Sequence, residues 1–127
     1  MIAVAKKQII HVVGYAIRGG CERCCEVFIH TAQDFEHRVL VLGEAGPMSA
    51  VWSALGVTVT HLNALETGWH SFFRRLRAEL DGTTVDGAIV WAGIRVPLVL
   101  AALAPLGCPT VLHPAIRSTA ACAFVSC

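Results

Sequence analysis

The residues with the most chemical potential are crowded into "VGYAIRGGCERCCE", positions 13–26. Gly19 and Gly20 stand together, followed by Cys21, Glu22, Cys24 and Cys25. Glycines at a strand-to-helix junction let a ligand approach the backbone, and the first turn of the helix offers free N–H groups and a positive dipole end to a phosphate. Three thiols could instead open a zinc site, or a Cys-x-x-Cys pair could do redox chemistry. A second candidate stands alone. His113 ends an apolar run, where an imidazole can donate a hydrogen bond to a sugar or phosphate, or move a proton.

The spacing discriminates among these. Cys21, Cys24 and Cys25 fall at i, i+3 and i+4, and Phe28 and Ala32 continue the same helical stripe. A stripe that runs on into a phenylalanine predicts core packing, with cysteine as a small buried hydrophobe, rather than a converging ligand set. The expectation is therefore no metal and no disulfide among the three. The glycines do not form a nucleoside-triphosphate loop, because no Gly-Lys-Ser/Thr follows. Gly14-x-Ala16-x-x-Gly19 approaches the dinucleotide fingerprint, with alanine for the middle glycine.

The elements that must position these groups alternate regularly. Strands are predicted over 8–17, 37–43, 57–63, 86–93 and 109–113, and helices over 20–33, 47–56, 67–82 and 96–107. Nearly continuous apolar strands require burial on both faces, which means a parallel sheet. Right-handed crossovers then give an α/β, doubly wound, Rossmann-like sheet of about five strands in order 3-2-1-4-5, with helices on both faces. In the helix over 67–82, Trp69, Phe72, Phe73, Leu76 and Leu80 form one stripe predicted to be buried. Arg74, Arg75 and Arg77 lie off it, as a solvated face. His11 and His61 are read as structural or exposed.

One domain of this kind fits 127 residues. The net charge of +1 directs the chain to neither nucleic acid nor acidic lipid. The most apolar stretch, "AIVWAGIRVPLVLAALAPLG", is broken by Arg95, Pro97 and Pro105, so no spanning helix is predicted. A cytoplasmic location with reduced thiols follows.

The segment "GGCERCCEVFIHTAQDFEHRVLVLGEAGPMSAVWSALGVTVTHLN" resembles the N-terminal lobe of GT-B fold glycosyltransferases of family four. Gly19, Gly20 and Glu22 match its Gly-Gly-x-Glu, and Gly46 to Val59 match its second segment. Asp86 to Val90 match its apolar strand, and His113 its histidine after strand five. The resemblance implies a Rossmann-like lobe over residues 1–116, with Gly19 and Gly20 near the donor diphosphate and Glu22 supporting the helix start. His113 would be the catalytic residue lining the sugar. It implies a nucleotide-sugar donor, a glycan, lipid or small-molecule acceptor, retaining transfer without a metal or other cofactor, and leaves room for peripheral contact with the inner membrane face. It also implies a C-terminal lobe with paired glutamates. None follows, so the tail 117–127 reads as an irregular truncation or frameshift, and the chain alone as an inactive fragment. Two other readings stand beside it. One is a small dinucleotide-binding Rossmann domain using Gly14, Ala16, Gly19 and Glu44; the other is a non-catalytic interaction module.

Overall fold

The computed structural model describes residues 6–91, 95–113 and 123–125. The elements are β1 (Lys7–Val13), α1 (Gly20–Thr31), β2 (Phe35–Val41), α2 (Pro47–Ala54), β3 (Thr58–His61), α3 (Trp69–Leu80), β4 (Gly87–Val90), α4 (Val96–Leu103), β5 (Thr110–Leu112) and β6 (Ala123–Val125). They form one sheet in order β3-β2-β1-β4-β5-β6. The first five strands are parallel, as expected. β6 lies in the stretch that periodicity left unplaced, and it pairs antiparallel with β5. The end of the predicted fourth strand and its loop, 92–94, lie outside the described residues, as do Cys122 and Cys127.

Strand alternation sorts the core into two layers. On one face Ile10, Val12, Leu40, Leu42, Ala88 and Val90 meet Phe72, Leu76 and Leu80 of α3 and Val99, Ala102 and Leu103 of α4. On the other, Val13, Val39, Val41, Ile89 and Trp91 meet Cys25 and Ile29 of α1 and Met48 and Trp52 of α2. Gly56 and Gly82 follow α2 and α3 at φ +83° and +75°, a left-handed conformation that ends a helix without a Cβ penalty. No helix among the described residues is long and apolar enough to cross a membrane.

Two expectations from helical spacing need correction. Trp69 is 66% exposed, although Phe72 and Leu76 are fully buried and Phe73 is half-buried. Trp69 is the first residue of α3, and the core contacts of this helix begin one turn later, at Phe72. Cys24 is likewise exposed, whereas Cys25 is buried and Cys21 half-buried. A helix lying on a sheet buries a narrower arc than the i, i+3, i+4 set spans, and Cys25 with Ile29 occupies it. His11 is fully buried inside β1, which spacing did not anticipate.

Candidate functional site

Parallel sheets present ligands at the carboxyl edge of their strands, where strand order reverses. Here that reversal lies between β1 and β4, beside the loop 14–19. The first half of this loop is fixed. The Gly43 amide donates to the Gly14 carbonyl at 2.9 Å, and the Met48 amide donates to the Ala16 carbonyl at 2.8 Å. Ala16 is only 2% exposed and belongs to the core. A Cβ on Gly46 would stand 2.5 Å from the Ala16 carbonyl oxygen. Gly46→Ala is therefore expected to push α2 from the loop and cost about 1–3 kcal/mol, read as a lower melting temperature.

The second half of the loop is open. Gly20 starts α1, is exposed, and has no atom within 4 Å of where a Cβ would stand. Gly19 is the N-cap and offers no side-chain hydrogen bond, so the amides of the first turn have no intrahelical partner. The Glu22 carboxylate folds back over Gly19 and fills the place of a side chain there, where its charge complements the helix dipole. A side chain at 19 would meet only the movable Glu22 carboxylate, and one at 20 would meet nothing within 4 Å.

The three cysteines do not converge. Burial, with smaller contributions from the Glu22 and Cys24 charges, raises the Cys25 thiol far above its ordinary value and also raises Cys21. Thiols held protonated are poor nucleophiles and poor metal ligands. Among the described residues no group of three or more His, Cys, Asp and Glu side chains is placed to hold a metal ion.

His113 follows β5 at the same edge, and its amide donates to the Val90 carbonyl at 2.9 Å. Its ring lies 4.9 Å from the Trp91 ring, and its Nδ1 is buried without a partner among the described residues. It shares the edge with Gly19 and Gly20 but stands two strands from β1, with β4 between them. Glu44 is exposed in the loop after β2.

Two features here carried no sequence signal. Arg95, in a left-handed conformation at φ 53°, caps the start of α4. Its Nη2 donates to the Leu65 and Thr67 carbonyls at 3.3 and 2.9 Å, and its guanidinium lies 4.9 Å from the Phe72 ring centre. It read in sequence only as an interruption of an apolar run. Ser49 and His61 meet at 2.8 Å, and Ser49 Oγ also accepts the Gly46 amide. The Gly46, Met48 and Ser49 amides are all engaged, so none of them is free to serve as an oxyanion donor, and Ser49 caps the start of α2. A cavity of about 660 Å³ opens at the other, N-terminal edge, between the starts of β1, β2 and β3. It is remote from the glycine loop, so size and strand-edge logic point to different places. The glycine loop is the better ligand candidate, because its uncapped helix start stands beside the strands where the order reverses.

No family model matches the chain, and no curated protein does. Among solved structures, it is similar to the crystal structure of phosphoribosylglycinamide formyltransferase from Brucella melitensis, with a TM-score of 0.61 and 16% identity. The match covers 91% of this chain and 60% of that one. The fold is Rossmann-like. At this identity the likeness carries the fold and nothing finer, and the chain spans about 60% of the length of its neighbour. The resemblance to glycosyltransferases is overturned, since the matching structure is a formyltransferase and no family model supports a GT-B lobe. Apolar strands alternating with helices recur among doubly wound sheets, because burial on both faces and right-handed crossovers require them whatever the function. The nucleotide-sugar donor, the acceptor and the second lobe rested on that resemblance alone and lose that support.

Proposed function

We propose that the chain is a small Rossmann-type domain that binds a phosphate-bearing small molecule of the nucleotide class at the carboxyl edge of its sheet. The observation that carries this is the open start of α1 at Gly20, placed where the strand order reverses. A phosphate seated there takes the first-turn amides and the dipole end, and it displaces the Glu22 carboxylate. His113 borders the other side of β4, where its unpartnered Nδ1 suits a sugar hydroxyl or a second polar group of the ligand. The named substrate of the formyltransferase neighbour, a phosphoribosyl compound, belongs to the same chemical class.

A dinucleotide is the larger member of the class, and Glu44 is the exposed carboxylate available to its ribose. Ala16 argues for a compact ligand, since the middle position of the fingerprint is packed into the core instead of facing a pyrophosphate.

Calorimetric titration with inorganic phosphate, AMP and NAD tests this. Gly20→Val is expected to abolish binding by covering the amides. Glu22→Gln is expected to strengthen phosphate binding about 2- to 5-fold, the equivalent of roughly 0.3–1 kcal/mol for one charge at a helix end. His113→Ala should weaken AMP but leave phosphate unchanged. Equal binding by wild type and Gly20→Val removes the glycine loop from the site.

A further inference from the structure

Beneath α1 runs a chain of hydrogen bonds that crosses the sheet from one edge toward the other. The Trp91 indole Nε1 donates to His11 Nδ1 at 3.0 Å. His11 Nε2 meets His37 Nδ1 at 2.8 Å, and His37 Nε2 meets the Ala32 carbonyl at 2.7 Å. An indole can only donate and a carbonyl can only accept. The two ends therefore fix the middle: His11 and His37 both carry their proton on Nε2, both are neutral, and every ring nitrogen is used. Phe28 of α1 lies edge-on to all three rings, at 5.6, 5.9 and 6.3 Å from His11, His37 and Trp91.

Such a chain has one direction and no spare acceptor. A proton added at His37 Nδ1 sets two donors face to face at His11 Nε2. His11 can restore that bond only by moving its own proton to Nδ1, which then opposes the Trp91 indole. The defect passes along the chain and stops at Trp91. It cannot rest on His11 as charge, because burial and the neighbouring His37 hold that imidazole down at about 3. His37 is half-buried and lines the 660 Å³ cavity, so solvent protons reach it there.

We propose that this chain is an acid-triggered latch, in which a proton taken up at His37 from the N-terminal cavity is felt near the carboxyl edge as loss of the Trp91 indole hydrogen bond. The His113 ring rests on Trp91, so the candidate ligand edge loosens with it. The surroundings leave His37 as the entry point. The titratable groups that α1 contributes to this layer are Cys21 and Cys25, both with raised thiols; α2 contributes the apolar Met48 and Trp52, and the chain at β3 contributes Val59 and, just before the strand, Val57. At the cavity mouth stand Lys6, His30, Glu36 and Arg38. Three of these side chains are engaged elsewhere: Lys6 with the Gln33 carbonyl, Glu36 with Gln8, and Arg38 with Glu79. The latch stands whether or not the edge takes a phosphate.

Nitrogen-resolved NMR of the 127-residue chain tests it directly. At pH 8 both rings should show the Nε2–H tautomer; an Nδ1–H form of either ring overturns the proposal. On acidification the indole N–H of Trp91, assigned with Trp91→Phe, should shift in step with His37. It should then exchange with solvent about tenfold faster, as loss of one net hydrogen bond predicts. His37→Asn keeps an acceptor near Nδ1 but cannot take the proton in this range, and should abolish the shift. An indole that stays still while His37 titrates overturns the latch. So does a shift that persists in His37→Asn, and so does a chain that unfolds before His37 is protonated.

Discussion

Lowering the pH from 7 to 4.5 should destabilise the wild-type chain by about 2–3 kcal/mol through His11 alone. The imidazole titrates near its ordinary 6.5 in the unfolded chain, and in the fold it is held down at about 3, chiefly by burial and then by His37. Between those values the unfolded state binds the extra proton, so stability is complete above about 6.5 and falls as the pH drops toward 3. Urea midpoints at pH 7, 5.5 and 4.5 measure this. His11→Leu should be less stable at pH 7, because it leaves the buried Trp91 indole without its acceptor, at a cost of about 1–3 kcal/mol. Its stability should nevertheless be much flatter across the window. A wild-type midpoint independent of pH would mean that the folded chain accommodates a charged His11.

Phe72→Ala should cost about 3–5 kcal/mol, and Trp69→Ala less than about 0.5 kcal/mol, although the two residues share one helical stripe. Phe72 is fully buried between α3, the sheet and the Arg95 guanidinium, so its removal leaves a cavity and uncovers that cation. Trp69 is 66% exposed at the start of α3 and gives up little packing. Against a total stability of about 5–15 kcal/mol for an ordinary domain, the first change approaches unfolding. Thermal melts of both variants decide it, and a larger loss at Trp69 would place that indole against a surface the present packing does not show.

The sheet was legible because it depends on patterns that act locally. The apolar runs "IIHVV", "VLVL" and "AIVW" can be satisfied only by cover on both faces, and the helices between them are long enough for right-handed crossovers, so a doubly wound parallel sheet follows, for which 3-2-1-4-5 is a common order. Gly56 and Gly82 marked helix ends because a positive φ is cheap there. Gly19 and Gly20 stood out as a strand-to-helix junction, although neither takes a positive φ.

Other features depended on which residues from distant parts of the chain come to lie side by side. Spacing placed Trp69 and Cys24 on their apolar stripes, but the extent of the sheet beneath the helix decides how much of a stripe is buried. His11 looked like one polar residue in a strand. Only the neighbours from β2 and β4 gave it His37 and Trp91, 26 and 80 residues away, and so made it neutral, buried and fully hydrogen-bonded. Arg95 looked like a break in an apolar run until the fold laid it on Phe72 and under the Leu65 and Thr67 carbonyls. Sequence determines which elements form, since those preferences are paid within a few residues; tertiary structure decides which polar groups find partners, since those partners come from strands that meet only in the sheet.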